Sequence, residues 1–255
     1  MAKTIIVFMS KGGVGKTSIT AAVAYELSKY GKVLLVDADQ QGNLTSIYTQ
    51  DSQIKEKKDY VSYLKEEAEL EECLVEIRSE TSEYKGIYLL GTQKNDDNVG
   101  LWIDGGFRDS PFVIKTLKVD AEELGFDYIL FDLPPTLKFY EKIILSTADE
   151  IIPIIEPQDF SIDSLSKFHK EMKKVKVGYQ APFSLPNKLI INKIDKSTKS
   201  HEYWLSQIKQ SPYQIFEINM SKTVPNSTSM KITIQEYDAK NKICATIANL
   251  VEEIK

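Results

Sequence analysis

The octapeptide Ser10-Lys11-Gly12-Gly13-Val14-Gly15-Lys16-Thr17 lies between an apolar run, Ile5 to Met9, and an amphipathic stretch, Thr17 to Lys29. A strand that breaks into a glycine-rich turn and re-emerges as a helix is the setting of a P-loop. Glycines are needed there because the chain must turn tightly round phosphate oxygens. Consecutive backbone N–H groups then aim at those oxygens and no Cβ intrudes. The start of the helix behind the loop adds partial positive charge. Lys16 is expected to reach the β and γ phosphates of a nucleotide as a point charge. The Thr17 hydroxyl is expected to ligate Mg²⁺, and Ser18 to adjoin the phosphates from the first helical turn. The nucleotide-binding set read from this stretch is therefore Gly12, Gly13, Val14, Gly15, Lys16, Thr17 and Ser18, with Lys11 ahead of it.

Working outward, further short apolar runs recur at Val33 to Val36, Ile87 to Leu90, Tyr128 to Phe131, Ile151 to Ile155 and Lys188 to Ile191. Helical patterns such as Phe139 to Ala148 separate them. Near-continuous apolar runs alternating with helices predict an α/β fold, doubly wound, with a mostly parallel sheet covered by helices on both faces. At 255 residues the chain has room for one such domain, and no Gly/Ser-rich or Pro-rich linker divides it. The stretch from Lys65 to Glu83 differs, with eight glutamates against Lys65 and Arg78. It reads as a solvated helix on the outside of the sheet.

Two further acidic sites follow strands. Asp132 ends the run Tyr128-Ile129-Leu130-Phe131 and precedes Leu133-Pro134-Pro135, where the prolines stop the strand and turn the chain outward. Mg²⁺ at a P-loop needs an acid at the end of a neighbouring strand, and Asp132 fits that need. Asp37 and Asp39 close the strand Val33 to Val36, and their spacing of two puts both carboxylates on one face if extended geometry persists.

Lys11 ahead of the glycines gives a deviant Walker A of the form KGGxGK[ST]. Together with Asp37-Ala38-Asp39-Gln40-Gln41-Gly42-Asn43-Leu44-Thr45 and Asp132-Leu133-Pro134-Pro135, it resembles the ParA/MinD family, and most of all the ParA-type partitioning proteins. Ile151-Ile152-Pro153-Ile154-Ile155-Glu156-Pro157 and Ile190-Ile191-Asn192-Lys193 extend the likeness over most of the chain; it is weakest from Gln50 to about Lys85. The resemblance implies one ParA-like P-loop ATPase domain over residues 1–255 and ATP with Mg²⁺ as cofactors. It implies a homodimer formed on ATP, in which Lys11 crosses to the phosphates of the other subunit. Lys11, Lys16 and Asp39 become the catalytic residues, Asp39 orienting the attacking water; Asp37 joins Thr17 and Asp132 near the metal, and Asn192 hydrogen-bonds adenine. A ParB-like centromere-binding partner and nonspecific DNA are implied as well, in a cytoplasmic, nucleoid-associated setting. Gln40 departs from the proline usual in the family, which bears on the hydrolysis rate more than on nucleotide binding.

A nucleoid-binding protein needs a cationic surface without base-reading devices. Ile162, Leu165, Phe168, Met172 and Val175 make an apolar helical stripe, and Lys167, Lys170, Lys173, Lys174 and Lys176 fall on or near the other side. Lys188, Lys193, Lys196 and Lys199 follow and extend the expected patch. For any one of these residues, a solvated lysine opposite a buried stripe accounts for the sequence equally well. The net charge of -5 confines any nucleic-acid contact to such a patch.

Other classes find less support. A MinD-like membrane-recycling protein ends in a basic amphipathic helix. Here Ile243, Ile247, Leu250, Val251 and Ile254 form a stripe in which Glu252 and Glu253 nearly balance Lys240, Lys242 and Lys255, so core packing is expected. Cys73 and Cys244 match no ligand spacing, which disfavours an iron-sulfur relative. His169 and His201 sit among polar residues and offer no catalytic pair for an ATP-dependent small-molecule ligase. No secretory signal follows Met1-Ala2-Lys3, and no apolar run reaches the roughly eighteen residues of a membrane span.

Overall fold

The computed structural model describes residues 1–49, 58–78, 80, 81, 83–93, 112–158 and 161–255. Its strands are β1 (Lys3–Phe8), β2 (Val33–Asp37), β3 (Leu74–Arg78), β4 (Ile87–Leu90), β5 (Tyr128–Asp132), β6 (Glu150–Ile155), β7 (Lys188–Ile194) and β8 (Gln214–Asn219). They form one eight-stranded sheet in the order β3-β4-β2-β5-β1-β6-β7-β8. Every pairing is parallel except β3 with β4. The fold is that of the P-loop NTPases, with helices on both faces of a mostly parallel sheet.

The central strands are apolar throughout because both faces are covered. Every residue of β2 is buried, as is all of β1 beyond Lys3. The helices are α1 (Lys16–Leu27), α2 (Asn43–Tyr48), α3 (Tyr60–Leu64), α4 (Leu70–Cys73), α5 (Val113–Glu123), α6 (Phe139–Ser146), α7 (Ser161–Gly178), α8 (Lys199–Ile208), α9 (Thr223–Ser229), α10 (Ile234–Tyr237) and α11 (Lys242–Glu252). Every residue of α1 from Ile19 to Leu27 is buried, as expected for a helix enclosed by sheet on one side and by α11 on the other. The C-terminal stripe does pack into the core: Ile243, Ile247, Leu250, Val251 and Ile254 are all buried, and the Asn241 side chain caps the helix by accepting from the Ile243 N–H.

Topology puts the site where it is. From β1 the chain crosses through α1 to β2, on one side; from β5 it crosses through α6 to β6, on the other. The connections diverge around β1, and the crevice at the carboxyl ends of the strands opens at such a switch point. The β2–β5 register pairs Asp37 directly with Asp132, bringing two acids from distant sequence to adjacent strand ends.

The structure corrects two expectations. Lys65 to Glu83 is not one solvated helix: it holds the single turn of α4 and the edge strand β3. Leu74 and Val75 are buried and Glu76 is exposed, and from Val75 to Arg78 β-branched and charged residues alternate in sequence with the period of a strand. Its glutamates are nonetheless solvent-facing. In α7, Leu165, Phe168, Met172 and Val175 are buried, but Ile162 at its start remains 41% exposed. Among the described residues no helix is long and apolar enough to cross a membrane.

Candidate active site

The octapeptide forms the bend between β1 and α1. Gly15 has φ +97°, a conformation that L side chains avoid. A Cβ there would also lie 2.4 Å from the Asn192 Nδ2. The proximity is constructive, because Asn192 Nδ2 donates to the Val14 carbonyl at 2.8 Å while Asn192 Oδ1 accepts from the Lys193 N–H at 2.9 Å. The end of β7 thus braces the loop from behind. Lys193 also serves the loop: its Nζ pairs with Glu156 at 2.8 Å and donates to the Gly13 carbonyl.

Lys16 is buried, and its Nζ donates to the Lys11 carbonyl at 3.2 Å. Burial lowers its pKa, while Asp132 and Asp39 act in the opposite sense. Lys11 is exposed, and its Nζ donates to Gln158 Oε1 at 2.9 Å, so it lies at the rim of the site rather than inside it.

The acids stand behind the loop. Asp132 is completely buried, and among the described residues neither carboxyl oxygen meets a hydrogen-bond partner in good geometry, although the Thr17 hydroxyl lies beside it. Burial first, then the charge of Asp37, pushes its pKa up to about 8, with the Thr17 hydroxyl and Lys16 pulling the other way. Asp37 is equally buried. Its Oδ2 accepts from the Thr45 N–H at 2.7 Å, its Oδ1 has no partner among the described residues, and burial raises its pKa to about 7. Asp39 is 9% exposed and its Oδ1 accepts from the Gln41 N–H at 3.0 Å.

A buried oxygen without a partner is expensive unless something binds it. Three such carboxyl oxygens, Asp37 Oδ1 and both of Asp132, beside Thr17 make a set of hard donors that fits Mg²⁺. No group of three or more His, Cys, Asp or Glu able to hold a metal by itself occurs among the described residues.

Gly12, Gly13, Gly15, Lys16, Thr17, Ser18 and Asp39 line one cavity of about 530 Å³ on this face. The sequence reading missed its far wall, where Thr228, Ser229 and Lys231 line the same space. No motif marks those residues. It also missed Thr45, whose N–H holds Asp37 and whose hydroxyl accepts from the Thr92 N–H at 3.0 Å, although Thr45 ends a stretch already singled out.

The lysines divide. Lys167, Lys170, Lys173 and Lys174 are exposed on α7, Lys174 pairing with Glu171 at 2.5 Å, and Lys196 and Lys199 are exposed after β7. Lys193 is turned to the phosphate loop. Lys188 is 9% exposed and pairs with Glu150 at 3.2 Å, so it does not extend the patch. His169 Nδ1 lies 3.1 Å from the Tyr213 hydroxyl and His201 Nδ1 accepts from the Asp195 N–H, so the two histidines serve separate local contacts.

A strand-end acid pair behind a phosphate loop with a lysine to spare defines a P-loop ATPase. Comparison with known proteins agrees. The AAA domain family matches residues 2–184. The uncharacterized protein BBD21 of Borreliella burgdorferi is 27% identical, over 97% of each chain. The chromosome partitioning protein ParA of Myxococcus xanthus is 26% identical, over 99% of this chain and 87% of its own. Among solved structures, the septum site-determining protein MinD of Pyrococcus horikoshii with Mg-ADP superposes with a TM-score of 0.75 at 22% identity, covering 100% of this chain and 96% of the other. The chain belongs to the AAA domain family, within its ParA/MinD group of P-loop ATPases.

Proposed function

We propose that residues 1–255 act as one ATPase domain that dimerises on ATP, holds nonspecific DNA while dimeric, and lets go after hydrolysis, so moving a plasmid or chromosome. The observation that carries this reading is the placement of Lys11. It belongs to the phosphate loop by sequence, yet its ammonium is exposed at the rim, hydrogen-bonded to Gln158. A second protomer facing that rim would receive the charge on its own nucleotide, in an interface where a cation counts for more than in water.

Within each protomer, the loop N–H groups and Lys16 bind the β and γ phosphates. Thr17, Asp37 and Asp132 would hold Mg²⁺, which supplies neutralising charge to the phosphates when bound. Asp39 orients the water that attacks the γ-phosphorus; the bond to the β-γ bridging oxygen breaks, leaving ADP, phosphate and a proton. Asn192 keeps the loop in shape and offers its edge to adenine. Loss of the γ-phosphate removes the partner of Lys11 in the opposite subunit, and the dimer opens.

Lys167, Lys170, Lys173, Lys174 and Lys196 supply the DNA contact, and dimerisation doubles it, so ATP sets DNA affinity. A ParB-like partner bound at a centromere stimulates hydrolysis, and the protein works in the cytoplasm at the nucleoid. Size measurement at saturating ATP tests the core of the reading. Asp39→Ala is expected to accumulate as a dimer, and Lys11→Ala to bind ATP but remain a monomer. A Lys11→Ala dimer equal to the parent's sinks the reading.

A further inference from the structure

Lys231 follows α9 in the turn before α10 with φ +58°. That left-handed backbone is uncommon outside glycine and costs an ordinary residue roughly 1 kcal/mol. Glycine would occupy the position without that strain, so a lysine here raises the question of what its side chain does.

The side chain has an unusual setting. Lys231 lines the same cavity of about 530 Å³ as Gly12, Lys16 and Asp39. Its Nζ donates to the Thr49 carbonyl at 3.1 Å, a neutral acceptor that leaves the charge uncompensated. No carboxylate pairs with it among the described residues, whereas eleven other ion pairs are formed. Thr49 closes α2, so the contact also ties the C-terminal segment to the helix that follows Asp39.

We propose that Lys231 is a phosphate-binding residue of the ATP site, additional to the loop lysines, which exchanges the Thr49 carbonyl for the polyphosphate of the bound nucleotide. The inference rests on reading this cavity as the ATP site. A polyanion entering the cavity is a better partner for an ammonium than a single carbonyl, because it adds the attraction of opposite charges to the hydrogen bond. The exchange frees the end of α2, so filling the site and loosening that helix become one event.

The test is calorimetric titration of the full chain with Mg-ATP and Mg-ADP, beside thermal unfolding without nucleotide. Lys231→Gln keeps a donor for Thr49 but no charge, Lys231→Arg keeps the charge, and Lys231→Gly relieves the backbone. Expected is ATP binding about tenfold weaker or more for Gln and Gly, near parental for Arg. Gly should also unfold at a higher temperature than the parent, so that affinity and stability move in opposite directions. A residue that merely braced α2 would lose both together. Parental ATP affinity in both Gln and Gly variants overturns the proposal. If Lys16→Ala abolishes binding in the same assay, that failure belongs to Lys231 alone; a parent that binds no ATP removes the site reading and the proposal with it.

Discussion

Gly15 and Asp132 show how much single residues of this site carry. At Gly15 two constraints coincide, a positive φ and an approach of 2.4 Å between a would-be Cβ and the Asn192 amide. Gly15→Ala should therefore cost roughly 1–3 kcal/mol. ATP affinity, read by titration, should fall by more than about tenfold, because the brace on Val14 has to shift. At Asp132 the relevant variable is pH. Its folded pKa of about 8 lies above the ordinary carboxyl value, so over that interval the native state holds a proton that the unfolded chain has given up. Stability of the nucleotide-free protein then falls as pH rises from about 4 to the folded pKa, and levels off above it. Asp37, raised to about 7, titrates with it as a pair. Asp132→Asn removes the penalty. In Mg²⁺-free buffer it should raise the melting temperature by ~4 °C or more at pH 8.5, and the gain should vanish near pH 4.5. The same residue was legible in the sequence as a strand-ending acid before a double proline. The pairing of Asp37 with Asp132 was not, because register between strands ninety-odd positions apart is written in no local pattern.

At the scale of elements, legibility followed burial. The six apolar runs became strands because burial on both faces selects near-continuous Val, Ile and Leu, and α11 kept its stripe because one face packs on α1 and β8. The elements that escaped are those in which polar residues interleave. β8 reads Gln-Ile-Phe-Glu-Ile-Asn, and β3 hides in a glutamate-rich stretch, so composition masked a period of two. The short helices α2 and α9, which wall the site, are too brief for a periodic signal. The packing role assigned to α11 has a direct check. Leu250 is completely buried, and Leu250→Ala should lower the unfolding free energy by about 2–5 kcal/mol in denaturant titration, with no direct contact to the site altered. A peripheral membrane helix would give little change.

For the whole molecule, charge placement decides what can be held. The net charge of -5 means that a DNA contact must be local, and the exposed lysines of α7 together with Lys196 are the candidates that survive inspection of the fold. Replacing Lys167, Lys170 and Lys173 together by Gln should weaken retention on nonspecific duplex with ATP about tenfold or more, and flatten its salt dependence. ATP binding should be untouched. Lys188→Gln should act differently, destabilising the fold by leaving Glu150 without its partner while sparing the salt slope. Equal salt slopes in the triple variant and the parent would place the DNA surface elsewhere.

The brace between Asn192 and Val14 joins residues 178 positions apart. The phosphate loop precedes the amide that steadies it, which comes only after most of the sheet's strands in chain order. The shape of the loop thus waits on β7, and a fragment ending before β7 would carry the whole glycine motif without the support that shapes it.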